Sequence, residues 1–192
     1  PVYMTRDENT PQNLIPSPSG RMENAQQEKA TLFISIHTND NPSVPPSSSC
    51  SDAGTETFYV DNAKYKDKSN DLAESVQKEL VAVLGADGKD LGTKPGSEDD
   101  QTTKATLHLD PLDEVMPGIL VKTLFICNPT EEAMLNDDAK QDKIAQGIFD
   151  GIMDYIRTTP GEALAKENAQ YYKYDEANNE FKKEPITLKF KM

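Results

Sequence analysis

The chain has 192 residues, 35% of them hydrophobic and 13 of them proline, and a net charge of −13 from 33 acidic and 20 basic side chains. That length suffices for one domain with a sizeable core plus an appendage; the apolar residues come in periodic blocks, so the low apolar fraction reflects long polar loops, not wholesale disorder. No basic run and no basic–aromatic interleaving supplies a positive footprint, which excludes nucleic acid as a partner class and disfavours anionic membrane surfaces, and no stretch is as long as a membrane span.

Residues 2–6 read as a short strand, followed by a polar loop to residue 19 and a helix-forming segment over 20–30. Residues 31–37, Thr-Leu-Phe-Ile-Ser-Ile-His, form a nearly continuous apolar run that suits a strand buried on both faces of a parallel sheet. The Pro/Ser-rich segment 38–54 is read as irregular, and 55–60 as another strand. Over 67–84, Leu72, Val76, Leu80, Val83 and Leu84 make one stripe of an amphipathic helix that Gly85 is placed to end.

Residues 86–104 are acidic and loop-like, and 105–109 are a candidate short strand. Residues 118–125 are a second buried strand, interrupted only by Lys122. Asn128-Pro129-Thr130 caps a helical segment that opens with Glu131 and Glu132, which suit a helix N-terminus. Ile144, Ile148, Ile152 and Ile156 recur at four-residue steps, predicting a helix over 138–157 that Pro160-Gly161 stops.

Strands alternating with helices predict an α/β domain, a mostly parallel central sheet flanked by helices on both faces. It is expected to occupy residues 1–157. Residues 158–192 read as a small C-terminal appendage, a helix over 162–170 and a hairpin around Asn178-Asn179. Cys50 and Cys127 show neither a disulfide framework nor zinc-ribbon spacing, and are read as two unpaired thiols that leave the redox compartment open. The chain opens on Pro1 instead of Met, so a preceding segment is expected.

Several blocks, taken in order, resemble the zinc-dependent N-acetylmuramoyl-L-alanine amidases (the amidase type 3 family). These enzymes cut the bond between N-acetylmuramic acid and L-alanine in peptidoglycan. The resemblance starts with Val2 to Arg6, a strand ending in Thr5-Arg6, continues through Arg21, Asn24 and Ala25, and is most specific over 32–39, which contains His37. Further matches are Gly54-Thr55-Glu56-Thr57-Phe58-Tyr59, Leu72-Ala73 with Gln77 and Leu80, and Met116-Pro117-Gly118-Ile119-Leu120-Val121. Phe125-Ile126-Cys127-Asn128-Pro129, Glu131-Glu132 and Ile144-Ala145 with Ile148 complete the set.

The resemblance implies a Zn(II) cofactor with His37 as one of its ligands. It also implies that the family's other zinc histidine and its zinc-binding glutamate lie upstream of Thr5-Arg6, in a strand and helix that residues 1–157 lack. The family's general-base glutamate falls at Lys122. Zinc chemistry of this kind uses three protein ligands and an open position to bring the pKa of bound water to about 7, with a carboxylate to move the proton. An ammonium cannot play that part.

Read without the resemblance, His37 sits at the carboxyl end of a strand, where open α/β sheets place their sites, and a hydrogen-bonded strand-end histidine is the plainer alternative. Lys122 is expected to extend its head into solvent. His108 reads as a loop histidine, Glu56 as a surface or packing residue, Glu131 and Glu132 as helix-dipole partners, and Cys127 as buried and inert. Two functions follow: an amidase domain whose activity is impaired in this chain, or a catalytically inactive pseudo-amidase that binds peptidoglycan or a partner. A third reading has the C-terminal appendage docking to a partner. The implied partners are peptidoglycan or muropeptides, and the implied location is the cell envelope, periplasmic or extracellular. Stem-peptide preference and oligomeric state are not written in these residues.

Overall fold

The computed structural model describes residues 2–5, 18–45, 48–61, 64–96, 116–159, 170–175 and 180–185. They belong to two compact units, Lys29–Tyr155 and the pair of segments Pro1–Glu28 and Ile156–Met192.

The larger unit is built on a four-stranded sheet in the order β1-β4-β2-β3, formed by β1 (Phe33–Asn39), β2 (Thr55–Tyr59), β3 (Asp90–Pro95) and β4 (Gly118–Phe125). The β1–β4 and β2–β3 ladders are parallel and the β2–β4 ladder is antiparallel, so the sheet is mostly parallel. All eight residues of β4 are buried, as its apolar run requires of a central strand. Helices α2 (Lys66–Leu84), α3 (Pro129–Leu135) and α4 (Asp138–Thr158) flank the sheet. This is the α/β architecture expected from the alternation of elements.

Helix α2 buries Leu72, Val76, Leu80 and Leu84 of the predicted stripe, together with Ala73, and leaves Val83 half-buried. Two polar residues share its buried face. The Gly118 amide donates to Ser69 Oγ at 3.2 Å. Gln77 Nε2 donates to the Thr55 carbonyl at 2.8 Å and to Asp90 Oδ1 at 2.7 Å, and Gln77 Oε1 accepts from Thr57 Oγ1 at 2.8 Å. One side chain thus ties α2 to the starts of β2 and β3. In a dry interior such a fully satisfied network fixes the register of the elements it joins.

Four expectations are corrected in this part of the chain. The stretch 86–104 is not all loop: a 3₁₀ turn at Gly85–Asp87 leads into β3, whose mixed sequence Asp-Leu-Gly-Thr-Lys-Pro lacks a strand pattern and pairs because β2 offers it a ladder. The segment 38–54 is irregular only after β1, which extends through Thr38 and Asn39. Cys50 and Cys127 are not free thiols. They form a disulfide with Cα atoms 5.2 Å apart, across 77 positions of sequence that only the fold brings together. The strand expected at 2–6 does not form over its described part: Val2, Tyr3 and Met4 are exposed and pair with no strand among the described residues. An extended segment has little stability without a ladder beside it. Arg6 lies outside the described residues.

In the other unit, α1 (Pro18–Gln27) buries Met22 and Ala25. Strands β5 (Gln170–Asp175) and β6 (Glu180–Pro185) pair antiparallel with Asp175 opposite Glu180, as a hairpin does. The turn expected at Asn178-Asn179, residues 162–169 of the expected helix, the candidate strand at 105–109 and His108 lie outside the described residues.

Candidate active site

The sheet places His37, Lys122 and Glu56 in one row. His37 on β1 is the register partner of Lys122 on β4, and Lys122 is also the partner of Glu56 on β2. Directly opposed residues share a sheet face. Thr57 bonds to Gln77 on α2, so by the two-residue alternation of a strand Glu56 and Phe58 occupy the opposite face.

Glu56 is buried, and each carboxylate oxygen has a partner: Oε1 accepts from Asn39 Nδ2 at 3.1 Å, and Oε2 from Lys94 Nζ at 2.5 Å. It is neither a surface residue nor a mere packing residue. Lys122 is 6% exposed, and its ammonium lies 4.6 Å from the centre of the Phe58 ring, with that of Lys94 at 5.8 Å from the same ring. Lys122 therefore does not extend its head into solvent as expected; it is buried against the Phe58 ring. The ring's negative face compensates part of the cost of burying the charge. Asn39, 2% exposed, ends β1 one bulge beyond His37, whose carbonyl accepts from Thr123 Oγ1 at 3.1 Å.

A second cluster closes the same end of β4. The chain after β4 turns through Ile126 and Cys127 to Asn128, whose side-chain oxygen accepts from the amides of Thr130 and Glu131 at 2.9 and 3.4 Å and caps α3 as predicted. Asn128→Ala is expected to lower stability by about 1 kcal/mol, read as a lower urea midpoint. Glu131 is more than a dipole partner. It is 3% exposed and accepts the Phe125 amide on Oε2 at 2.6 Å and the Gly54 amide on Oε1 at 2.8 Å.

Burial pushes the Glu131 carboxyl above its ordinary value, against the two amide donors that pull it down. Gly54 needs to be glycine: its φ is 119°, and a Cβ there would stand 2.3 Å from the Lys89 carbonyl oxygen. Asn128 Nδ2 donates to the Asp52 carbonyl at 2.9 Å, and the Cys50 amide donates to the Cys127 carbonyl at 2.8 Å alongside the disulfide. Nothing in the sequence marked Glu131 as a clamp. That Cys50 and Cys127 are the only two cysteines was the one available hint of the bond.

A zinc centre can be tested against this donor set. His37 brings one imidazole, the Glu56 oxygens are engaged by Asn39 and Lys94, and both cysteines are oxidised. No three His, Cys, Asp or Glu side chains stand together as a metal site among the described residues. The Lys122 ammonium, in register beside His37, repels a divalent cation. The described residues by themselves offer one candidate donor, His37, and do not complete a zinc centre.

The fold and the row define a class: an α/β domain with a mostly parallel sheet that gathers histidine, lysine and carboxylate toward one end of its strands. The N-acetylmuramoyl-L-alanine amidase family profile matches residues 1–154, and the chain belongs to that family. It is 35% identical over 137 residues to the N-acetylmuramoyl-L-alanine amidase LytC of Bacillus subtilis, a match covering 71% of this chain and 24% of LytC. Among solved structures it resembles the catalytic domain of the amidase CwlV of Paenibacillus polymyxa var. colistinus, with TM-score 0.62, 28% identity and coverage of 83% of this chain and 74% of that one. It also resembles an N-acetylmuramoyl-L-alanine amidase of Clostridium difficile 630, with TM-score 0.60, 26% identity and coverage of 76% and 68%. The chain spans about a quarter of the length of LytC and of a Bacillus anthracis cell wall amidase, each covered over 24%.

Proposed function

We propose that the chain acts as a peptidoglycan amidase domain, on the amide bond between N-acetylmuramic acid and L-alanine, in the cell envelope or outside the cell. The observation that carries this reading is the family match across 1–154, laid over a sheet that brings His37 to the carboxyl end of β1. His37 is assigned as a ligand of the family's zinc, and Lys122 as the occupant of the general-base position. No described helix is long and apolar enough to cross a membrane. Residues 158–192 are assigned as an appendage to the amidase-like part.

A second reading is supported by Lys122 itself. A buried ammonium in register with His37, and a donor set that among the described residues falls short of three metal ligands, suit a module that binds muropeptides without cleaving them. Purified protein would be assayed for zinc by elemental analysis, for release of stem peptide from peptidoglycan, and for cosedimentation with it. The expected result is pelleting with peptidoglycan. Stoichiometric zinc with peptide release, both lost in His37→Ala, supports the amidase; pelleting with neither supports the binding module. Absence of pelleting and of release would sink both. Lys122→Glu alone is expected to restore no activity, because it adds a carboxylate beside His37 without gathering three zinc donors among the described residues.

A further inference from the structure

We propose that the Cys50–Cys127 disulfide is a redox latch on the approach to β2, opened by dithiol reductants, which detaches residues 50–53 from the end of β4 while the sheet stays folded. The bond joins a loop residue to a turn residue, and both cysteines are half-buried, outside the core that holds the sheet together. In the opening step one thiolate of the reductant attacks one sulfur of the pair, forming a mixed disulfide and releasing the other cysteine. The second thiol then displaces the first. The protein gains two electrons and two protons as two thiols, and the reductant leaves as its own disulfide.

Among the described residues the other hydrogen bonds that tie this segment to its surroundings are three, two of them exposed. They are the Cys50 amide to the Cys127 carbonyl, Asn128 Nδ2 to the Asp52 carbonyl, and Asn41 Nδ2 to Asp52 Oδ2 at 2.8 Å. Exposed bonds of this kind compete with water on nearly equal terms. The next tie is different in kind: the Gly54 amide is held by buried Glu131. Detachment therefore stops at Gly54. The sheet beyond it rests on the β-ladders and on Leu72, Val76, Leu80, Ile119 and Val121, which are buried without help from sulfur. In an oxidising compartment the latch stays closed. It marks the protein as one whose loop conformation reports its redox surroundings.

Alkylation and residue-resolved hydrogen exchange test this on the intact chain, with dithiothreitol as the reductant. Iodoacetamide is expected to label neither cysteine before reduction and both afterwards. Reduction should speed exchange at the Cys50 amide at least about ten-fold while Gly54 and the β4 amides stay protected, the signature of local rather than global opening. The Cys50→Ser/Cys127→Ser double variant should match the reduced wild type without reductant. Labelling before reduction would show that the bond does not form. Unchanged exchange at Cys50 would show an inert bond, and loss of protection at Gly54 and in β4 together would show a staple of the whole fold. Any of these three results overturns the latch.

Discussion

Glu131→Ala is expected to lower the stability of the domain by roughly 2–5 kcal/mol, since it leaves two buried backbone amides, of Gly54 and Phe125, without an acceptor. Urea unfolding followed by circular dichroism would read this as a large drop in midpoint with little change in slope. Glu131→Gln is the sharper probe. The amide keeps one carbonyl acceptor but turns its NH₂ group toward one of the two donors, so roughly half of the loss should remain. A Glu131→Ala protein as stable as the wild type would mean that water reaches this clamp and replaces the carboxylate.

The pH dependence has a definite sign. Burial raises the Glu131 carboxyl above its ordinary value in the folded protein, so the folded state holds this proton at pH values where the unfolded chain has released it. The stability this contributes is fully present below the unfolded pKa, about 4.3 for a glutamate, and is lost as pH rises through the higher folded value. The advantage of wild type over Glu131→Gln should therefore shrink as pH is raised from 4 toward neutrality. An advantage that grows over that window would mean that the two amide donors, not burial, dominate the carboxyl.

Gly151→Ala is expected to destabilise although alanine is the better helix former. Glycine to alanine in an exposed helix gains about 1 kcal/mol, but a Cβ at residue 151 would stand 2.4 Å from Val76 Cα, 2.7 Å from the Ser75 carbonyl oxygen and 2.8 Å from the Val76 amide nitrogen. All three are backbone atoms of α2, so no rotamer change relieves the clash. Helix α4 has to move away from α2, and overpacking of this kind costs about 1–3 kcal/mol before repacking. Gly151→Leu should lose more and fold poorly. Gly147→Ala should be milder: its closest contact, Val83 Cγ2 at 2.6 Å, is the end of a side chain, although the Leu80 Cα lies at 2.9 Å. Thermal melts of the three variants would rank them, and a Gly151→Ala protein more stable than wild type would show that the two helices are not in close contact.

The close approach of α2 and α4 illustrates where local sequence stops being informative. The isoleucines of α4 at four-residue steps identify a helix; Ile144 and Ile148 are buried, while Ile152 and Ile156 are half-buried. Gly147 and Gly151 look like weak points by propensity alone. Their reason is the backbone of a second helix, about 70 residues earlier, which no window along α4 contains. β3 is the same case in strand form. Its residues have no alternating pattern, and it exists because β2 is there to pair with it.

The site divides along the same line. Periodicity and apolar runs by themselves marked strands over 31–37 and 118–125, helices over 67–84 and 138–157, and Asn128 as the start of α3, close to the observed β1, β4, α2, α4 and α3, because these depend on residues within a turn or two of one another. The resemblance located His37 and Lys122. Only the tertiary structure decided that they stand side by side with Glu56, that Lys122 is buried over Phe58 and does not reach water, that Glu56 is held by Asn39 and Lys94, and that Cys50 meets Cys127. Each of these pairs residues far apart in the chain. Burial, ion pairing and disulfide formation act over a few ångströms of space, and the order of strands in the sheet, not the order of residues, sets which side chains come that close.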